Sequence, residues 1–573
     1  MLLFLTAKLD FIQKMYDLSQ MPDLSFYFGV GLQPGFLLAI AGSLLTQFCC
    51  FPVLGALFVV LSMAGLTELC KKTFRNCLLS YLPCVFLFSF LVGIDYAVYT
   101  MRAQGILFSQ TLGSAIAVLI VWGWKKTDKL SVFYPVISVI VGYPLIGAYS
   151  IVAALAVAAI SIRDKKNGLL TTVIVILSSA AIPWLYTHCL FTHIDTRYTY
   201  FAAFPYMDFV KNGWKFLPLG LTALSIIVLG ASANHNPKYS DKTFSRVLYT
   251  AAMAAVIFVF CYKDRNFHIE LAMEQAIEKN DWKKTLRYAA KSEEPTRIIV
   301  MYRNIALLYT GQLCNRMFSF PNSGPRINTP GQISQTEVCA PLVFFYNGLI
   351  NYSTRWAWEM SMMFQRTVER YKYQAKVALF TGQENPELIG KYLDIIGENW
   401  FERKWVEKYR NYLNDRSALL QDEEYQMFMQ LNNFEEVKYM SSAIAEDTLL
   451  SHFISQSEPQ GVMLDLSLAA AMTLRNTDAF WHYYSKFRKT GRPFPTHVSE
   501  AAILFAYLER NQALIENVAM DIGANSIIVR RFQSFSCEAS GLTDAASVKE
   551  SFKKKYGDTY WYYCYFTDEL MTD

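Results

Sequence analysis

The chain lacks charge over most of its first half. The stretches Cys50–Thr67, Cys77–Ile94, Gly105–Gly123, Gly168–Tyr186, Phe216–Ser232 and Val247–Tyr262 contain no Asp, Glu, Lys or Arg. A bilayer core of about 30 Å requires roughly 17–25 such residues from a crossing helix, so the missing charge excludes a water-soluble core here. With no ionisable residue in these stretches, a proton- or ion-coupled carrier, which needs intramembrane carboxylate, His or Arg, is disfavoured. The eleven cysteines form no CxxC pair and no zinc-type spacing, which leaves no cysteine signature of a redox or zinc site. Met1-Leu2-Leu3-Phe4-Leu5 has neither a basic n-region nor a small-residue cleavage site, so no conventional cleavable signal is read. Strand patterns are scarce beyond Lys263, and His452, His482 and His497 have no Ser or Cys at a telling spacing.

What is present divides near Lys263. Of 573 residues, 53% are hydrophobic, and mean hydropathy is +0.19. The net charge of +5 does not indicate nucleic acid, because much of the basic charge in the first half lies between apolar spans. Four clusters recur: Lys71, Lys72 and Arg75; Lys125, Lys126 and Lys129; Arg163, Lys165 and Lys166; Lys238, Lys242 and Arg246. Short loops that remain in the cytoplasm are enriched in Lys and Arg. Four cytoplasmic clusters require an even number of crossings between each pair, and Val247–Tyr262 then exits outward. The tail from Lys263 is therefore predicted to be periplasmic or extracellular.

Two places leave crossing open. Gln33–Leu69 is interrupted at Phe51-Pro52; either it crosses twice, or Pro34–Phe48 dips in and only Pro52–Leu69 crosses. Phe133–Ser161, broken at Gly142-Tyr143-Pro144, is a tight hairpin or a re-entrant loop. Phe51-Pro52-Val53-Leu54-Gly55-Ala56 also matches Tyr143-Pro144-Leu145-Ile146-Gly147-Ala148. Asn76-Cys77-Leu78-Leu79 and Asn167-Gly168-Leu169-Leu170 follow in turn, which suggests an internal duplication with parallel halves, 33–124 and 131–246. The alternative is a helix-break phrase recurring by chance. Gln47 and Gln110 are the main polar side chains in the spans and are read as glue between helices.

Charge returns in the outer loops, beside Asp95 and Arg102, then from His188 to Tyr200 and on to Asp208 and Lys211. An interfacial aromatic belt with snorkelling basic residues is the favoured reading. A second is a ligand site in which Arg102, Arg197 and Lys211 face an anionic headgroup. Asp95 and Asp195 are weak catalytic candidates, since transferases using polyprenyl-phosphate sugars place a carboxylate in such a loop. A metal site drawing on His188, Cys189, His193 and Asp195 is least favoured, because His188 and His193 are five apart and off one helical face. No metal and no cofactor is assigned.

Beyond Lys263 the pattern is helix–turn–helix. Asn280-Asp281-Trp282, Thr310-Gly311-Gln312-Leu313, Thr381-Gly382-Gln383 and Arg475-Asn476-Thr477-Asp478 read as turns between helices, and Pro321–Pro341 reads as a long surface loop. This is tetratricopeptide (TPR)-like grammar without a strict 34-residue period. Cys314, Cys339, Cys537 and Cys564 can pair if the tail lies in an oxidising compartment.

The phrases Phe26-Tyr27-Phe28 through Leu44-Leu45-Thr46-Gln47-Phe48, Pro52-x-x-Gly55-Ala56, Asn304-Ile305-Ala306-Leu307-Leu308 with Gly311-Gln312-Leu313, Tyr392-Leu393 with Lys404-Trp405, and above all Tyr556-Gly557-Asp558-Thr559-Tyr560-Trp561-Tyr562-Tyr563 carry a resemblance. Over nearly the whole chain it resembles an uncharacterised family of bacterial polytopic membrane proteins, known only as a domain of unknown function. The resemblance implies a further span before Asp17, of which Met1–Leu5 is a remnant, and it transfers no activity. The expected fold is all-α: a polytopic bundle of about seven to nine membrane segments followed by a TPR-like repeat domain. The expected divisions are 1–32, an N-terminal amphipathic segment; 33–262, transmembrane; and 263–573, an extracytoplasmic repeat domain. The expected function is a scaffold or assembly factor in the envelope of a bacterial inner membrane, more a binding protein than an enzyme. Its partners would be membrane lipids and an envelope protein bound through 263–573, with no nucleic acid. The alternative is a transferase or flippase-like protein handling a polyprenyl-phosphate-linked substrate.

Overall fold

The structure is a computed structural model. It describes the chain except residues 1–7, 20–28, 30, 32, 77, 100–104, 127–132, 163–167, 206–212, 233–242, 323–338, 364–365, 383–385, 432–444, 524–526, 541–544 and 568–573. The described residues are 82% helical, with no strand element among them. It divides into two compact units: Met1–Lys263 with Ser361–Lys372 and Lys391–Glu407, and Asp264–Met360 with Tyr373–Gly390 and Lys408–Asp573. Two stretches from the downstream half thus belong to the first unit, which nothing in their sequence announces.

The helices of the first unit are α1 (Leu9–Asp17), α2 (Phe36–Thr46), α3 (Pro52–Phe74), α4 (Leu82–Val92), α5 (Ile106–Lys126), α6 (Phe133–Ile146), α7 (Ala148–Ser161), α8 (Gly168–Cys189), α9 (Leu217–Ser232) and α10 (Thr243–Phe260). Among the described residues four segments are long and apolar enough to cross a membrane: α3, α5, α8 and Trp214–Ser232, with a fifth if Val247–Phe260 and the helix bent from its end are counted as one span. On α8, Leu169, Leu170, Val173, Ile176, Leu177, Trp184 and Leu185 are exposed. That apolar stripe at helical spacing has no protein against it, as a lipid-facing helix requires.

Contacts between helix ends fix their directions. The Lys125 ammonium donates to the Thr73 carbonyl (2.9 Å), so α3 and α5 bring the first two basic clusters together. The Tyr249 hydroxyl donates to the Leu78 carbonyl (2.7 Å), while the Tyr262 N–H donates to the Val92 carbonyl (3.0 Å). Helix α10 therefore starts at this basic end and finishes at the opposite one. Gly230 packs on the Ala156 backbone and Gly168 on Ser161, which brings the helix ends flanking the third and fourth clusters to the same side. Lys71 and Lys72 in the last turn of α3 also complement its dipole.

Helices α6 and α7 have 14 residues each. At 1.5 Å per residue each is about 21 Å long, short of a bilayer core. They pack against each other as a hairpin, and at its start the Tyr134 hydroxyl donates to the Ile120 carbonyl near the end of α5 (3.2 Å). Its break is at Gly147 (φ +58), where an added Cβ would overlap the Ala202 carbonyl, while Pro144 lies inside α6. The matching phrase behaves differently: Pro52 opens α3 at its first turn and Gly55 continues it.

The second unit is built from short helices joined by a recurring turn. At Asn280, Gly311, Gly348 and Arg475 the backbone is left-handed. In each case that residue's N–H bonds to the carbonyl three back, and the next residue's N–H to the carbonyl five back, at 2.8–3.2 Å. This double bond satisfies carbonyls that a helix end leaves orphaned. Asp281 and Asn476 then accept from the N–H groups of Lys284 (3.0 Å) and Ala479 (2.9 Å), capping the next helix. Cys314 and Cys537 are free thiols.

Candidate functional site

The carboxylates that the sequence singles out are engaged. Asp95 follows α4 at the end opposite the basic clusters and is 9% exposed. It is ion-paired with Lys215, a residue that sequence reasoning did not select. Tyr96 meets Tyr262 edge-on (6.3 Å), and Trp214 stacks on Phe260 (5.7 Å), so aromatic rings adjoin the pair on both strands of chain. Asp195 caps the short helix Thr196–Phe201, accepting from the Arg197 N–H (3.0 Å) and pairing with the Arg197 guanidinium (3.2 Å). Both residues are exposed, and the contact spans one turn. Asp95 and Asp195 have separate partners.

His188 is the last-turn base of α8; its Nδ1 contacts the Trp184 carbonyl (2.8 Å) and its ring stacks on Trp184 (4.3 Å). His193 lies exposed in the loop beyond. No group of three or more His, Cys, Asp or Glu suited to a metal occurs among the described residues. Arg102, Lys211 and Asp208 lie outside the described residues.

A larger polar cluster, not anticipated from the sequence, lies at the end opposite the basic clusters. It joins α1 and the turn after α2 to the downstream stretches of the first unit. Lys14, 2% exposed, pairs with Glu369 (3.0 Å) and sits over the Tyr99 ring (5.3 Å). The Tyr16 hydroxyl donates to Glu402 (2.6 Å), whose other oxygen pairs with Lys372 (2.7 Å). Asn399 donates to the Tyr16 hydroxyl (3.1 Å) and to the Gln47 carbonyl oxygen (2.8 Å); the Gln47 amide in turn donates to Ser19 (3.1 Å). Burial and the Glu402 carboxylate drive the Tyr16 phenol far above its usual range, so it stays protonated as a donor. Phe401 packs edge-on against Phe48 (5.7 Å) and Phe51 (5.9 Å). The amphipathic pattern of α1 was the only signal available, and its hydrogen-bond partners Glu369, Asn399 and Glu402 lie more than 350 residues away in sequence.

The hairpin tip forms a second polar junction. The Gly35 N–H donates to the Pro144 carbonyl (2.7 Å), and the Ala148 N–H to the Ala202 carbonyl (2.9 Å). Gln110 donates to the Ala203 carbonyl (2.9 Å) and accepts from the Tyr149 hydroxyl (2.6 Å); the Tyr143 hydroxyl donates to the Thr199 carbonyl (2.7 Å). These bonds satisfy the non-helical backbone at the tip inside the protein. Gln110 and Gln47 both act between elements, as read from the sequence.

In the second unit the closing Tyr-Gly-Asp-Thr-Tyr-Trp phrase is fastened to the helix Thr496–Leu508. Glu500 accepts from the Tyr560 N–H (2.8 Å), the Trp561 indole donates to the Glu500 carbonyl (2.9 Å), and His497 lies against the Asp558 carbonyl (3.2 Å). Burial pushes the Glu500 carboxyl up to about 8 and the His497 imidazole down to about 4. Arg297 is held through its Nε by Glu446 (2.7 Å). Neighbouring Arg303, pulled down to about 9 by burial, donates to the oxygens of Asn304 (2.8 Å), Pro321 (3.0 Å) and Asn322 (2.7 Å).

Ion pairs, caps and satisfied carbonyls of this kind bind elements together, and the class they define is an all-helical protein whose first unit carries membrane-capable helices. Residues 22–567 match the model of a family described as a family of unknown function, DUF6057, and the chain belongs to that family. No curated protein and no solved structure matches the chain.

Proposed function

We propose that the protein is a membrane-anchored scaffold or assembly factor of the bacterial envelope. In this reading the first unit crosses the inner membrane, the basic end is cytoplasmic, and the second unit is an extracytoplasmic, TPR-like repeat domain that binds an envelope protein. The observation that carries it is the left-handed turn repeated at Asn280, Gly311, Gly348 and Arg475, each joining one short helix to the next. Stacked helix pairs of this type build extended surfaces for partner proteins. The convergence of basic helix ends supports the orientation, since positive loops stay inside. Count of segments follows from the same reading: the membrane-capable helices cross, while α2, α4, α6 and α7 bring the membrane segments towards the expected seven to nine.

A second reading, a transferase or flippase-like protein for a polyprenyl-phosphate-linked substrate, draws on the Asp95–Lys215 pair and its aromatic neighbours. Native mass spectrometry of the intact protein, extracted gently from its own membrane, separates the two. A stoichiometric protein partner supports the scaffold. A stoichiometric polyprenyl-phosphate lipid, lost on Lys215→Met, with no protein partner, overturns it in favour of the transferase.

A further inference from the structure

The turn Trp400–Glu402 sits in the first unit, although it comes from the downstream half. Its placement follows from the polar cluster: Asn399 is tied to Gln47 and Tyr16, and Glu402 to Tyr16 and Lys372. Phe401 is wedged against Phe48 and Phe51, which are themselves 36% and 57% exposed at the start of α3. The exposed apolar surface continues from there along α3 through Val53, Leu57 and Leu61. Between these anchored residues Trp400 points away from the protein and is 77% exposed, the Arg403 guanidinium lying 5.8 Å from its ring. Arg403 and Lys404 are exposed, while Glu402 is neutralised by Lys372. An exposed Trp beside two exposed cations, at the end of an apolar helix surface, has the composition of a membrane–water interface anchor.

We propose that the turn Trp400–Glu402 with Arg403 and Lys404 is a lipid-binding foot, seated in the headgroup region of the leaflet at the end opposite the basic clusters, with a preference for anionic phospholipid. The Trp400 ring enters the headgroup–acyl boundary, and the two cations meet phosphate. The foot rests on the membrane reading of the first unit and is independent of what the second unit binds. It gives the downstream half a hold on the bilayer that no apolar run in its own sequence provides.

The test uses the full-length protein in nanodiscs of mixed phosphatidylglycerol and phosphatidylcholine, with the photo-crosslinker Trp400→p-benzoylphenylalanine. Leu61→p-benzoylphenylalanine, on the exposed face of α3, is the control for membrane insertion. Lipid adducts at both positions are expected. Arg403→Gln and Lys404→Gln are each expected to lower the phosphatidylglycerol share of the position-400 adducts, by about fivefold per charge removed. A lipid adduct at 61 with none at 400 overturns the foot and leaves the membrane reading intact; none at either overturns the membrane reading. Should the crosslinker variant not remain monodisperse, Trp400→Phe is compared with the unaltered protein in brominated lipids. The emission lost with Trp400 is expected to be quenched more by bromine near the headgroup than at the chain end. No quenching of that component refutes the proposal.

Discussion

Glu500 offers a quantitative check on the packing of the closing segment. Its carboxyl is buried, accepts the Tyr560 N–H, and is displaced from 4.5 to about 8 by burial, with Asp558 raising it further and Arg531 opposing. A group whose folded value is raised stabilises fully below its unfolded value, and that stability is lost as pH rises through the folded value. At about 1.4 kcal/mol per unit, the loss between pH 4.5 and 8 is on the order of 5 kcal/mol. His497 acts in the opposite direction: lowered from 6.5 to about 4 by burial, with Asp558 favouring its charged form and Arg303 opposing it, it loses stability as pH falls from 6.5 to 4. That contribution is on the order of 3 kcal/mol. Between pH 4.5 and 6.5 the two slopes oppose each other. From 6.5 to 8 Glu500 alone of the two titrates, and its contribution is expected to fall by about 2 kcal/mol. Glu500→Gln keeps a neutral side chain whose oxygen can accept the same N–H. In detergent, thermal unfolding of the second unit should therefore weaken from pH 6.5 to 8 in the unaltered protein and stay level in Glu500→Gln. Parallel profiles for the two proteins, or a gain in stability with rising pH in the unaltered one, would refute the reasoning.

Three further outcomes follow from contacts in the first unit. Tyr16→Phe removes the donor to Glu402 and the acceptor for Asn399; it should cost about 1–3 kcal/mol, and a thermal-shift cycle with Asn399→Ala should show strong coupling. Lys215→Met leaves Asp95 without its cation and should destabilise by about 1–3 kcal/mol, most of which Asp95→Asn restores in the double variant; no restoration would mean that the pair is not the cause. Gly105 has φ +60, and an added Cβ would overlap the Gly42 backbone. Gly105→Ala should therefore lower the yield of monodisperse protein, while Gly65→Ala, in open space, should not.

Apolar runs without charge sufficed to locate α3, α5, α8 and α9, because insertion depends on summed hydrophobicity along a contiguous segment. Turns at Asn280, Gly311 and Arg475 were also legible, since a polar or glycine residue before an N-cap is a local signal. The matching phrases around Pro52 and Pro144 differ in local structure: Pro52 opens α3, whereas Pro144 lies inside α6 ahead of the break at Gly147, where Ala202 approaches.

The site divides along the same line. Asp95 and Asp195 could be named from the sequence because a carboxylate near a membrane exit is conspicuous, but their partners could not: Lys215 lies 120 residues from Asp95, and Asp195 turned to its own backbone neighbour. Lys14, Tyr16 and Gln47 looked like an ordinary amphipathic segment and a lone glutamine until Glu369, Asn399 and Glu402 were brought to them. Sequence alone determined the all-helical character, the apolar helices and the basic clusters between them, since propensity and hydrophobic transfer are properties of short stretches. Only the tertiary structure decided which buried charges are paired and which part of the downstream half joins the first unit. Those choices depend on desolvation and hydrogen-bond geometry between residues hundreds of positions apart, which no local pattern encodes.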